Sequence, residues 1–228
     1  MRELLTIAHI ETDFPTKFGV PRQSGLVSGL KGRIVFEPEY RNPEALRGLD
    51  GFSHIWLLWD FSEARREGEK WQPTVRPPRL GGNRRMGVFA TRSPFRPNPV
   101  GLSAVKIKGI EKTKNEGSVI YVSGADLMNG TPIYDIKPYL PYTDSHPDAV
   151  GGFADEKLKD FLKVEFPPEL LTAIPKEKQN PLLELLSEDP RPHYITDDTR
   201  VYGFEFADFE IKFKVENNVL TVLEVAKK

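Results

Sequence analysis

The longest uninterrupted apolar run in the chain, Ile55 to Trp59, is only strand-sized, and this constrains the fold more than any other feature. It sits within Ser53 to Phe61, SHIWLLWDF. Aromatic and aliphatic side chains throughout that segment suit a buried strand, because they fill a pleated surface well. Further strand-length segments flank it: Leu4 to Ile10, Arg33 to Phe36, Met86 to Thr91, Gly101 to Ile110, Ser118 to Ser123 and Pro132 to Lys137. Glycine and proline punctuate the gaps. Many short strands with few helices predict a barrel or a sandwich. One short helix is expected at Pro43 to Arg47. Asn42 supplies a side-chain cap, Pro43 needs no N–H in the first turn, and Gly48 can take the left-handed conformation that ends a helix.

The pattern changes between Tyr139 and Phe153, where Pro141, Pro147, Gly151 and Gly152 fall close together. Beyond it, a strand is expected at Leu162 to Phe166, and short helices at Glu169 to Ile174 and Pro181 to Leu186. Three strands follow: Arg200 to Phe206, Phe209 to Val215 and Val219 to Val225. Asn217-Asn218 between the last two is a hairpin turn, since asparagine tolerates positive φ. The expected architecture is therefore mainly β: a β-barrel or β-sandwich domain over residues 1–150 and a small α+β domain over residues 155–228.

The chain contains no cysteine, which excludes disulfides, thiolate metal sites and cysteine nucleophiles. Polar and acidic residues interrupt the N-terminal segment, so neither a signal peptide nor a membrane span is expected, and a cytoplasmic location follows. His9, His54, His146 and His193 show no helical metal-ligand spacing, so no metal site is expected. Net charge is −1, but it is segregated. From Lys70 to Ile110 there is no acid and nine lysines and arginines, which leaves −10 on the rest. Such a division builds a local positive field suited to an anionic ligand such as nucleic acid.

Within the basic stretch, TVRPPRLGGNRRMGVFATRSPFRPNPVG (Thr74 to Gly101) sets six arginines on loops stiffened by five prolines. Arginine favours planar, bidentate contact with phosphates and stacking on bases. A second dense segment, DLMNGTPIYDIKPYLPY, runs from Asp126 to Tyr142. Period two places Asp135, Lys137 and Tyr139 on one side of an extended chain. A third, FGVPRQSGL, carries the small polar loop Gln23-Ser24-Gly25. No glycine-rich dinucleotide fingerprint, Walker loop or nucleophile elbow is present.

PRQSGLV, RGLDGFSHIWLLW, the arginine-proline block, DLMNGTPIYDIKPYLPY and the C-terminal EDPRPHY together resemble the TsaA-like, or TrmO, family of transfer-RNA methyltransferases. The resemblance spans nearly the whole chain. It implies a barrel catalytic domain, S-adenosylmethionine as methyl donor, and a homodimer with the cofactor near the subunit interface. The implied substrate is the anticodon stem-loop, methylated on N6 of the threonylcarbamoyladenosine on the 3′ side of the anticodon. Cofactor contacts carried over are Gln23, Ser24 and Gly25, Ser62 and Glu63, Arg92, Leu102, and Ile133, Tyr134, Asp135 and Ile136. Ser24 stands where the family more often has proline, and Ser62-Glu63 where it often has His-Gln. Asp135, Lys137 and Tyr139 are the candidates for managing the N6 proton; Asp135 acting only to orient the cofactor is an equal reading. Arg76, Arg79, Arg84, Arg85 and Arg96 are expected on phosphates. Arg191 and Tyr194 are candidate RNA contacts, with Arg191 capping its own domain as the alternative. On the residues alone, a non-catalytic RNA-binding module and a barrel methyltransferase with another substrate stay open.

Overall fold

The computed structural model describes residues 3–62, 71–77, 84–157, 161–191 and 199–228. Six antiparallel strands close into a barrel: β1 (Ala8–Glu11), β2 (Lys31–Phe36), β3 (His54–Asp60), β6 (Val100–Thr113), β7 (Gly117–Ser123) and β8 (Thr131–Pro138), in the order β1-β2-β7-β6-β3-β8. A two-stranded ribbon, β4 (Thr74–Val75) and β5 (Met86–Gly87), lies between β3 and β6 in sequence. The expected strand Met86 to Thr91 is cut short there. Val88–Ala90 form a 3₁₀ turn, closed by the Thr91 hydroxyl donating to the Val88 carbonyl at 2.8 Å. The Pro43 helix is likewise a single 3₁₀ turn, Pro43–Leu46. Asn42 Oδ1 accepts the Glu44 N–H at 3.1 Å, and Gly48 takes φ +85°.

Closing the sheet removes its edges and gives it an interior. That interior holds Ala8, Ile10, Ile34, Ile55, Leu57, Trp59, Val105, Ile120, Val122 and Ile133. Buried and less buried residues alternate along β3 and the first half of β6, so the uniformly apolar β3 segment sends only every second side chain into the interior.

After α1 (Pro141–Asp144) come β9 (Lys163–Glu165), α2 (Pro168–Leu171) and α3 (Lys176–Ser187), then β10 (Tyr202–Phe206), β11 (Phe209–Glu216) and β12 (Val219–Lys227). The sheet order is β10-β11-β12-β9, with β9 parallel to β12. Asn217 and Asn218, at φ 49° and 63°, make the β11–β12 hairpin. Helix α3 begins earlier than expected and carries Pro181 inside it, buried with Leu182, Leu185 and Leu186.

The core of this second region also takes in the long β1–β2 connection. Phe14, Val27 and Leu30 are buried among Phe204, Phe206, Leu182 and Leu186, with Phe18 and Val20 packed against them. Gly19, at φ +92°, passes so close to the Phe204 ring that a Cβ there would stand 2.3 Å from it. Asp13 pairs with Lys178 at 2.5 Å, and Asp13 O accepts the Ala207 N–H at 2.7 Å. The connection that carries Gln23-Ser24-Gly25 thus leaves the barrel, is packed by the C-terminal region, and returns.

Candidate functional site

Two groups of residues stand out, one at a mouth of the barrel and one on its outer wall. At the mouth, Gly25 (φ +80°) donates its N–H to Gly124 O at 2.9 Å, and Gly124 (φ +78°) has no room for a Cβ beside the Gly25 backbone. Positive φ favours glycine at both positions, and at Gly124 a Cβ would also stand 3.3 Å from the Gly25 N and Cα. Gln23 Nε2 donates to Arg22 O, and the Arg92 guanidinium donates to Gln23 Oε1. Below this loop lies Asp126, half-buried between the buried Ala125 and Leu127. The Ser24 backbone N–H is directed at its carboxylate, Arg92 faces it, and Ser103 Oγ donates to Asp126 Oδ1 at 2.6 Å. Trp59 Nε1 in turn donates to Ser103 Oγ at 3.0 Å, inside the barrel. Burial raises the Asp126 carboxyl above the ordinary carboxylate range, and these hydrogen bonds and Arg92 only partly offset it.

The outer wall is built by register. Leu102, Leu58 and Asp135 lie opposite one another across β6, β3 and β8, and Ala104, Trp56 and Lys137 form the next row. Tyr139 continues the line, its N–H bonded to His54 O and its ring 5.4 Å from Trp56. Period two alone does not produce this face. Trp59 pairs with Ile133 but Leu58 pairs with Asp135, so Tyr134 is an extra residue in a β-bulge. The bulge reverses the parity of β8: Thr131 and Ile133 are buried, and after it Ile136 packs inward while Asp135 and Lys137 face out. Asp135 Oδ2 pairs with Lys137 Nζ at 2.8 Å, which raises the Lys137 ammonium pKa, and Asp135 Oδ1 accepts the Ile136 N–H. Beside this face is an open groove of about 340 Å³, lined by Trp56, Leu58, Leu102, Lys137, Asp144 and His146. Asp144 Oδ2 accepts the Leu140 N–H and the Trp56 indole N–H, each at 2.9 Å, and these bonds hold its carboxyl below the usual range.

Of the residues expected at the cofactor, Gln23, Ser24, Gly25 and Arg92 come together at the mouth. Leu102 and Asp135 lie together on the outer wall, with Leu102 more than half exposed. Ile133 is fully buried, and its carbonyl accepts the Ile7 N–H at 2.8 Å, so it presents no exposed surface to a ligand. Ser62 is exposed at the end of β3. Glu63, Arg79 and Tyr194 lie outside the described residues.

The arginines divide into two sets. Arg76 and Arg84 are exposed; Arg85 is also exposed and donates to Thr74 Oγ1 at 2.8 Å. Arg96 is turned into its own loop, toward the Val88 and Thr91 carbonyls. Arg191 is held in a bidentate pair with Asp189, both bonds 2.9 Å, and Arg22 donates to the Asp189 and Arg191 carbonyls beside it.

Sequence reasoning did not single out Asp126, Ser103 or Trp59. The available signal was one acid within the apolar run from Ile120 to Leu127.

A model of the tRNA-methyltransferase O N-terminal domain matches residues 9–145, and a model of the TrmO C-terminal domain matches residues 159–228. The chain is 44% identical over 221 residues to the tRNA (adenine(37)-N6)-methyltransferase of Escherichia coli K12, covering 92% of this chain and 91% of that one. It is 38% identical to a putative S-adenosylmethionine-dependent methyltransferase, RcsF, of Pseudomonas aeruginosa, covering 96% of each. The crystal structure of TrmO from Pseudomonas aeruginosa superposes with a TM-score of 0.77 at 30% identity, covering 99% of both chains. With both domain models matched in order and the fold shared from end to end, this chain belongs to the TrmO family of tRNA methyltransferases.

Proposed function

We propose that this protein methylates N6 of the adenine at position 37 of transfer RNA, using S-adenosylmethionine. The single observation that carries the reaction is the near-full-length identity to the Escherichia coli enzyme of that name. The threonylcarbamoylated form of that adenosine, presented on an anticodon stem-loop, is the substrate we propose, acted on by a homodimer in the cytoplasm. Among the described residues no helix is long and apolar enough to cross a membrane.

The residues present suit such a cofactor. The barrel mouth offers backbone and side-chain hydrogen-bonding groups at Gln23-Ser24-Gly25, a fixed cation at Arg92, and a half-buried carboxylate at Asp126. A neighbouring apolar surface is supplied by Leu58 and Leu102. When bound, the cofactor supplies an electrophilic methyl group. The protein's part is to hold the substrate nitrogen in line with it, and to take that nitrogen's proton, because the lone pair is otherwise delocalised into adenine and carbonyl. Asp135 is the proposed acceptor of that proton. Lys137, kept protonated by the Asp135 carboxylate, stands beside it to balance negative charge developing on the substrate. Tyr139, its ring tilted against Trp56, is placed to donate a hydrogen bond on the same face. Arg76, Arg84 and Arg85, with Arg79, are proposed to meet phosphates, whereas the inward bonds of Arg96 and Arg191 favour structural roles for those two. The exposed Trp71 and Phe89, with ring centroids 6.0 Å apart, support an apolar contact with a second copy. We place the domain division at residues 150–155, between the stretches matched by the two family models, 9–145 and 159–228.

Labelled S-adenosylmethionine, incubated with bulk transfer RNA that contains or lacks threonylcarbamoyladenosine, tests the reading. Label entering only the first pool, with the methyl on N6, is the expected result. Label in neither pool, despite cofactor binding, refutes the substrate; no cofactor binding refutes the reaction class.

A further inference from the structure

We infer that Asp126 is the positioning residue of the cofactor loop, the fixed point that joins Ser24, Arg92 and the barrel wall into one rigid site. The inference rests on Gln23-Ser24-Gly25 being that loop.

The polarity of the network leaves little freedom. A tryptophan indole can only donate, so Trp59 Nε1, at 3.0 Å, makes Ser103 Oγ an acceptor. A serine hydroxyl has one proton, and here it lies toward Asp126 Oδ1 at 2.6 Å. The residue at 126 must therefore accept at that oxygen. It must also accept the Ser24 backbone N–H, and it faces the Arg92 guanidinium, which itself holds Gln23 Oε1. Donors from two chain segments, the β1–β2 connection and β6, converge on one carboxylate, and the Arg92 cation of the loop after β5 lies near it. A group with acceptors at both ends meets all of them. An amide does not, because its NH₂ would turn a donor toward Ser24 or Arg92. The wall behind is rigid: the Ser103 hydroxyl is buried, Trp59 is buried, and Gly101 lets the Trp59 ring lie directly on the β6 backbone.

Holding a carboxylate here carries a desolvation cost. Burial raises its pKa above the ordinary carboxylate range, and the hydrogen bonds from Ser103 and Ser24 with the charge of Arg92 only partly offset this. A charge held at that cost where it fixes the Ser24 loop points to a role in binding. That role is preorganisation, since a loop already held by Asp126 loses less conformational freedom when the cofactor arrives.

The test compares wild type, Asp126→Asn and Ser103→Ala by calorimetric titration with S-adenosylmethionine, by thermal melting without ligand, and by steady-state kinetics. Asp126→Asn is expected to weaken the cofactor Kd by about ten- to a hundredfold, the scale of a lost charge-assisted hydrogen bond. KM for the cofactor should rise in step, with kcat and KM for transfer RNA within about threefold, and Tm should fall less than in Ser103→Ala. Ser103→Ala, which leaves the Trp59 indole unpaired, should weaken Kd less and lower Tm. If Asp126→Asn binds the cofactor as tightly as wild type, the inference is overturned. A fall in Tm accompanied by equal losses toward both substrates would make Asp126 an ordinary fold residue and also overturn it. Failure of the wild type to bind the cofactor would instead remove the loop assignment on which the inference stands.

Discussion

Substituting Gly101 by alanine tests how closely the barrel wall is packed behind the mouth. The added Cβ would lie 2.1 Å from Trp59 Cε2 and 2.5 Å from Cδ2 and Cζ2. Carbons in contact sit at about 3.5–4.0 Å, so the indole must retreat by more than about 1 Å. Overpacking of this kind costs about 1–3 kcal/mol. The retreat also breaks the Trp59–Ser103 hydrogen bond, leaving a buried donor unpaired at about 1–3 kcal/mol more. A loss of about 2–6 kcal/mol lowers Tm by about 4–24 °C in a protein of this size. Gly109 on the same strand is the matched control, because its Cβ would meet nothing within 4 Å. There alanine should be neutral, or stabilising by about 0.4–1 kcal/mol, through the unfolded chain. Calorimetric melts of both variants, with tryptophan fluorescence to follow the indole, decide the matter. Equal Tm values for the two variants would refute the packing argument.

Arg22→Ala removes two hydrogen bonds from a charged donor to the Asp189 and Arg191 carbonyls; a stability loss of about 2–3 kcal/mol is expected by denaturant melting. Asp144 has a lowered carboxyl pKa in the folded protein, so its contribution is present above the ordinary carboxylate range and is lost as pH falls through the depressed value. The Tm advantage of wild type over Asp144→Asn should accordingly shrink on acidification; a gap independent of pH would contradict this. Arg84→Gln should weaken transfer-RNA binding and reduce the slope of log affinity against log salt by about one, measured by filter binding. Arg96→Gln should instead lower Tm and leave that slope unchanged, because its guanidinium faces loop carbonyls. Asp135→Ala should reduce kcat by about 10²–10⁴-fold with cofactor Kd unchanged; full turnover would remove Asp135 as the proton acceptor.

Most of the barrel was legible because its signal is local. The apolar β3 segment, the Asn217-Asn218 turn and the glycine at 48 are each decided by neighbouring residues. The site was legible only in pieces. Gln23 and Arg92 could each be named, but nothing local says that they touch, since barrel closure brings them together. Asp135 and Lys137 share a face as the period-two pattern requires. The inward turn of Ile133 could not be read, because a bulge is a property of the pairing with β3 and has no signature in the strand itself. Asp126 went unnoticed for a related reason: its meaning lies in an indole and a hydroxyl on two other strands. Arginine at 96 and 191 looks the same in sequence as arginine at 84. Only the bonds each one makes separate a phosphate contact from a loop brace.

The packing of the β1–β2 connection bears on how the molecule is born. Lys178 follows its partner Asp13 by 165 residues, and Asp189 follows Arg22 by 167. On a ribosome the barrel strands emerge first and can pair among themselves, while Phe14, Val27 and Leu30 wait for α3 and β10 to be made. During that interval the loop bearing Gln23-Ser24-Gly25 has no floor beneath it. The proposed methyl-donor site thus matures last, when the final strands leave the exit tunnel. A chain that stalls or is clipped in the linker after β8 would be a closed barrel with an apolar loop open to water, a substrate for chaperones and proteases before it could ever be an enzyme.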